Sequence, residues 1–257
     1  ENHAITLLMA EAGMGKSALL LELKNKLESQ GVIVAPIRLD RCKLESSADL
    51  FGQSLGFSYT PTYSLAKYAG NNKIVLMLDQ LDAIRWTAAH SDNALHVCQE
   101  IVRQVLTLRR SDVDISIVFA SRDFDISEDI ALNAWLSSIN DELNTVKLSS
   151  LSDETVKNLV QPYEKYETLS AEQKNTLKIP LWLGIYISIA LSEDRAPDFT
   201  NKLELVKRYW DNRILEANKI TDPNQNLLVI NELLHQMISK SKFSVSEVSL
   251  HNISLTA

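Results

Sequence analysis

The chain has 257 residues, a net charge of −7 from 26 Lys+Arg against 33 Asp+Glu, and 45% hydrophobic residues. That apolar share is ordinary for a folded protein and rules out a disordered chain. Seven glycines and six prolines argue against collagen-like and turn-rich β architectures, and the acidic balance argues against direct nucleic-acid binding, which needs a clustered basic face.

Two cysteines, Cys42 and Cys98, form neither a disulfide framework nor a zinc site alone, so a reducing, cytoplasmic setting is expected. No run approaches the roughly 18–20 apolar residues of a membrane span; the longest, Ile179 to Leu191, is interrupted by Ser188. The chain begins without Met and its last residues stop inside an unfinished pattern, so a piece of a longer protein is expected.

In chain order, Ala4 to Met9 is a short apolar run leading into a glycine turn and reads as a buried strand. Leu19, Leu20, Leu23 and Leu27 give a helix from Lys16 to Ser29, ended by Gly31. Val32 to Leu39 reads as a second strand, and residues 46–70 as mostly helical. Lys73 to Asp79, apolar on both faces, is the clearest strand. Residues 92–110 form an apolar helical stripe, Ile115 to Ala120 a fourth strand and Thr145 to Leu148 a fifth. Strands alternating with helices imply a parallel sheet covered on both faces. After Leu151 the pattern turns helical: Ser152 to about Tyr166, a capping box at Ser170 and Gln173, Pro180 opening a helix to Leu191, then Lys202 to Asn218 and Asn226 to Ser239.

Ala10-Glu11-Ala12-Gly13-Met14-Gly15-Lys16-Ser17 lies between the first strand and the first helix. It matches the phosphate-binding pattern G-x-x-x-x-G-K-[ST], with Ala10 in place of the first glycine. Gly13 and Gly15 let the backbone N–H groups turn toward phosphates, and the helix dipole adds to the attraction. The expected nucleotide contacts are Ala12, Gly13, Met14, Gly15, Lys16, Ser17 and Ala18. Lys16 would neutralise the β- and γ-phosphates of ATP, and Ser17 with Asp79 would hold Mg²⁺. Asp82, three residues on, is a second acid at that strand end. Ser121 and Arg122 leave the fourth strand at the carboxyl edge, where open α/β sheets bind ligands. Arg122 has two readings here: a reporter of the γ-phosphate, or the partner of Asp123 or Asp125 in a salt bridge.

With these motifs placed, most of the chain resembles the STAND class of P-loop NTPases, which includes NACHT proteins and AP-ATPases. Ala10 to Ser17 is similar to its Walker A and Leu76-Met-Leu-Asp79-Gln-Leu-Asp82 to its hhhhDxxD Walker B. Ser121-Arg122 is similar to the sensor-1 strand end, and Ile179-Pro180-Leu181 to its Gly-x-Pro motif, with Lys178 where Gly is common. The resemblance implies an α/β fold of the ASCE/AAA+-like P-loop kind: a parallel five-stranded sheet with helices on both faces, over residues 1–150. An all-α helical domain (151–225) and the start of a winged helix (226–257) would follow.

It also implies a switch that rests with ADP, exchanges to ATP when a sensor outside this segment meets a protein trigger, and forms homo-oligomers through the NTPase module. In bacterial antiviral members the trigger is a phage component. Pro180 becomes a candidate contact to the nucleoside, and Lys16, Asp79, Asp82 and Arg122 the candidate catalytic set. Motor-type AAA+ ATPases usually carry Asp-Glu at the second acidic strand. The Glu activates water, whereas Gln80 can orient water but cannot take its proton. Slow hydrolysis is therefore expected, the alternative being a rapidly turning AAA+ motor or loader.

Overall fold

A computed structural model of the chain describes residues 3–42, 45–82, 91–212 and 223–239. The chain divides into two compact units, Glu1–Ser149 and Ser150–Ala257.

The first unit is built on five parallel strands: β1 (Ile5–Ala10), β2 (Ile33–Arg38), β3 (Ile74–Asp79), β4 (Ile115–Arg122) and β5 (Leu143–Lys147), in the order β2-β3-β4-β1-β5. Its helices are α1 (Lys16–Ser29), α2 (Ala48–Ser54), α3 (Pro61–Ala69), α4 (Ser91–Arg110), α5 (Asp123–Glu128) and α6 (Ile130–Ser138). This is the expected α/β architecture, a parallel five-stranded sheet with helices on both faces, with β4 inserted between the phosphate-loop strand β1 and the acidic strand β3.

Period-two alternation decides which side of the sheet each residue serves. Ile74, Leu76 and Leu78 of β3 and Ile115, Ile117 and Phe119 of β4 pack with residues of α2, α3, α4 and α6. Val75, Met77 and Ala120 pack on the other face, with Leu20, Leu23 and Leu27 of α1. Continuing the alternation puts Asp79 and Arg122 on the α1 side. Ile33 N–H donates to Lys73 O at 2.9 Å, so the odd residues of β2 face β3. Pro36, which has no N–H, therefore faces the open edge, where a strand tolerates proline.

Three elements differ from expectation. The strand expected at Thr145 begins at Leu143, and two helices, α5 and α6, fill residues 123–138, which the sequence reading left unassigned. Residues 46–70, read as mostly helical, form two helices, α2 and α3.

The second unit packs α7 (Asp153–Val160), α8 (Ala171–Leu177), α9 (Pro180–Glu193) and α10 (Lys202–Trp210) around Val156, Leu177, Tyr186, Ile189, Phe199 and Leu205. Helix starts are fixed by capping: Ser152 Oγ accepts from Thr155 N–H, Ser170 and Gln173 form the expected capping box, and Asn201 accepts from Glu204 N–H. Pro180 occupies the first turn of α9, as read. The helix expected from Ser152 to Tyr166 stops at Val160, and Tyr166–Thr168 is a separate 3-10 turn. A final helix, α11, spans Pro223–Ser239. Residues 240–257, the rest of the expected winged helix, lie outside the described residues, as do residues 213–218 of the helix expected over 202–218. Among the described residues no helix is long and apolar enough to cross a membrane.

Candidate functional site

The loop from β1 to α1 owes its shape to two glycines in the left-handed region, Gly13 (φ 82°) and Gly15 (φ 81°). Gly15 is the N-cap of α1. No side chain caps that helix, and its first turn carries no acid. Its first N–H groups are thus left for an external anion, in the dipole's favoured place. A cavity of about 230 Å³ lies over the loop. It is lined by Ala12, Gly13, Met14, Gly15, Lys16, Ser17 and Ala18, together with Asp79, Gln80, Asp82 and Arg122. The structure thus brings together the candidate residues drawn from the phosphate loop and from the ends of β3 and β4. Pro180 belongs to the second unit.

Lys16 Nζ donates to Ala10 O at 2.7 Å and to Glu11 O at 3.1 Å, so its head is folded back on the loop. Burial holds its ammonium below the ordinary lysine value, with Arg122 adding repulsion against the attraction of Asp82, Asp79 and Asp125. Ser17 Oγ donates to Asp79 Oδ2 at 2.8 Å. The other carboxylate oxygen, Oδ1, accepts from Gln80 N–H at 2.9 Å. Gln80 itself is held at φ 63°, a left-handed conformation for a non-glycine residue directly after the acid.

The donor set fits a small hard cation. Ser17 and Asp79 present converging oxygens. That is the arrangement expected for Mg²⁺, which binds through one or two protein oxygens and completes its shell with phosphate and water.

Asp82 is only 4% exposed. Burial pushes its carboxyl above the ordinary value, opposed by a backbone hydrogen bond and by Arg122. Arg122 Nε lies 3.4 Å from Asp82 Oδ2 and 3.9 Å from Asp125 Oδ2. The salt-bridge reading of Arg122 thus holds for Asp125. Asp123 pairs with Lys147 instead. Ser121 shares the sheet edge but not the face: alternation turns it to the side away from α1. Its fully buried hydroxyl makes no hydrogen bond among the described residues.

One residue, Arg38, escaped the sequence reading of the site, and another, Asp125, was read only as a salt-bridge partner of Arg122. Asp125, 3% exposed, enters from the first turn of α5. Arg38 stands opposite Asp79 in the β2–β3 register and forks onto Asp40 at 3.1 and 2.8 Å. It lines a larger, mostly apolar hollow of about 470 Å³ that shares Ser17, Ala18 and Asp79 with the cradle. A cation ending a strand beside the acidic strand was a visible signal for Arg38. Asp125 had only its spacing from Arg122.

No family model matches the chain. No curated protein matches it in sequence. In structure it is similar to Aeropyrum pernix ORC2 in its ADP form, at 11% identity, with 96% of this chain and 72% of that one covered and a TM-score of 0.46. It is also similar to AMPPCP-bound DnaA from Aquifex aeolicus (14% identity, 93% and 62% covered, TM-score 0.45). A chain of the E. coli MS115-1 HORMA:CdnC:Trip13 complex is similar at 15% identity, with 90% and 74% covered and a TM-score of 0.43.

Proposed function

We propose that this chain is the ATP/ADP-binding module of a STAND-type switch, a slow Mg²⁺-dependent ATPase. The observation that carries the reading is the cradle itself. Uncapped N–H groups at the start of α1, Lys16, and the Ser17–Asp79 pair converge on one cavity, and Gln80 stands there in place of a carboxylate. Lys16 and residues 12–18 hold the phosphates. Ser17 and Asp79 hold Mg²⁺, which offsets phosphate charge when bound. Gln80 orients water but cannot deprotonate it, so hydrolysis is slow.

Pro180 is the nucleoside contact that the STAND resemblance implies. Exchange of ADP for ATP drives homo-oligomerisation after a protein trigger binds a sensor domain outside this segment. An antiphage role, with a phage component as trigger, follows from the STAND resemblance.

The experiment is to denature the purified protein and separate the nucleotides it releases. Near-stoichiometric ADP supports the switch. An empty protein that turns ATP over rapidly supports the second reading, an AAA+ motor or loader. That reading draws on Asp82, a buried acid at the cradle whose raised pKa suits a general base.

A further inference from the structure

The hollow beside the cradle follows from an imbalance of cover. Five strands spaced about 4.8 Å apart make a sheet about 19 Å wide, whereas a helix with its side chains is about 10 Å across. Among the described residues, α1 alone supplies helix residues to the apolar cluster on the face of Val75, Met77 and Ala120. A slot is left open between α1 and the edge strand β2. Its walls are set by two periods. Ser17, Leu21 and Lys24 share one face of α1, and alternation turns Pro36 and Arg38 of β2 and Met77 and Asp79 of β3 toward that helix. From Ser17 to Lys24 the helix rises about 10 Å. The hollow measures about 470 Å³, within the range that holds a small organic molecule.

Charge decides what kind of molecule. Lys24 Nζ lies 2.7 Å from Glu28 Oε2, and Arg38 forks onto Asp40. Asp79 accepts from Ser17 Oγ and from Gln80 N–H. Each charge bordering the slot is thus matched within the protein. An ionised ligand group seated among Leu20, Leu21, Pro36 and Met77 would pay desolvation with no free counter-charge among these residues.

We propose that this slot is a second ligand site, distinct from the phosphate cradle, for an uncharged small molecule with an aromatic body and one polar end. The Met77 thioether and the Pro36 ring give apolar, polarizable surface to a flat ring. The polar end lies at Arg38 and Asp79, the carboxyl ends of β2 and β3, where open α/β sheets place ligands. The site does not depend on the nucleotide reading: a chain that bound no nucleotide would keep it.

The test is a fluorescence titration of the 257-residue chain with N-phenyl-1-naphthylamine, an uncharged aromatic probe, and with 1-anilinonaphthalene-8-sulfonate, which adds one sulfonate to the same framework. Leu21→Glu puts a carboxylate on the slot wall at a position 58% exposed, where the charge stays solvated in the absence of probe. Leu21→Met keeps the wall apolar. Leu203→Glu, at a position 76% exposed on α10, controls for binding to apolar surface elsewhere. Thermal melts check each variant, and Pro36→Glu, on the opposite wall, replaces Leu21→Glu if that variant does not fold.

The uncharged probe should saturate at one site per chain. Leu21→Glu should weaken it at least about tenfold, and Leu21→Met and Leu203→Glu should leave it within about twofold. The sulfonate probe should bind the wild type at least about tenfold more weakly than the uncharged one. A signal that does not saturate, or that Leu203→Glu lowers as much as Leu21→Glu does, would overturn the site. Equal or tighter binding of the sulfonate would overturn the class of ligand. Probe binding lost as the protein self-associates, with Leu21→Glu restoring the monomer in sedimentation, would assign the slot to a second copy of the chain and overturn the small-molecule site.

Discussion

Lys16 donates to two carbonyls of the loop that carries it, so an incoming phosphate competes with Ala10 and Glu11 for its protons. Lys16→Ala removes a charge-assisted contact made to both nucleotides. ADP and ATPγS affinity should fall together, by about 10- to 100-fold. Equal binding by wild type and variant would show that the loop is only a structural turn. Gln80 is the converse case. Its side chain borders the cradle, and its backbone already adopts φ 63°. Gln80→Glu exchanges amide for carboxylate with the same backbone demand. Phosphate release at saturating Mg-ATP should rise at least about tenfold, at or below the usual gain from a placed general base. Unchanged turnover would remove Gln80 as the cause of slow hydrolysis. The residues that bear on these two predictions were legible in sequence because their meaning is local: Gly13 to Ser17 and Asp79 stand at strand ends with fixed spacing. Arg38 was not, because it matters only through the β2–β3 register, and Asp125 was legible only as one of two alternative partners of Arg122, a choice made by the placement of Lys147 beside Asp123.

Among the elements, β3 was the easiest to read because all six of its residues are buried and apolar up to Asp79. Helices α5 and α6 were the hardest. Phe124 is 67% exposed and Ile130 86% exposed, so the apolar positions there do not trace one buried stripe. Edge strand β5 shows the same effect, since its half-exposed sequence carries little of the signal that marks a central strand. Helix α2 holds a constraint that propensity would miss. Alanine is favoured over glycine in a helix by about 1 kcal/mol. At Gly52, however, a Cβ would meet the backbone oxygen of Tyr59 at 2.0 Å. Backbone cannot give way as a flexible side chain would, and overpacking of this kind costs about 1–3 kcal/mol or more. Gly52→Ala should therefore destabilise the first unit, read as a lower urea midpoint. A midpoint at or above wild type would mean that the connection from α2 to α3 relaxes freely.

On the scale of the whole chain, each unit closes its own core, the second with fewer buried apolar residues among those described, and polar ties join its helices. The strongest tie is Glu193, at the end of α9. It accepts from Arg208 Nε and Nη2 at 2.7 and 2.6 Å, from Asn212 at 2.9 Å and from Arg195 at 3.2 Å. Arg208 most strongly, and then Asn212 and Arg195, hold the Glu193 carboxyl down at about 2, against an ordinary 4.5, although partial burial opposes them. A carboxyl depressed on folding stabilises the folded state fully above its unfolded value and loses that contribution as pH falls toward its folded value. Glu193→Gln keeps the size but not the charge. At neutral pH it should cost about 1–2 kcal/mol, a figure reduced for solvent screening. The gap between wild type and variant should begin to close below pH 4.5 and vanish near pH 2, the two limits of this carboxyl's shift. Thermal melts followed through Trp182 and Trp210, which both lie in the second unit, measure that gap at each pH. A gap that stayed constant down to pH 2 would assign the loss to packing and not to the ion pair that joins α9 to α10.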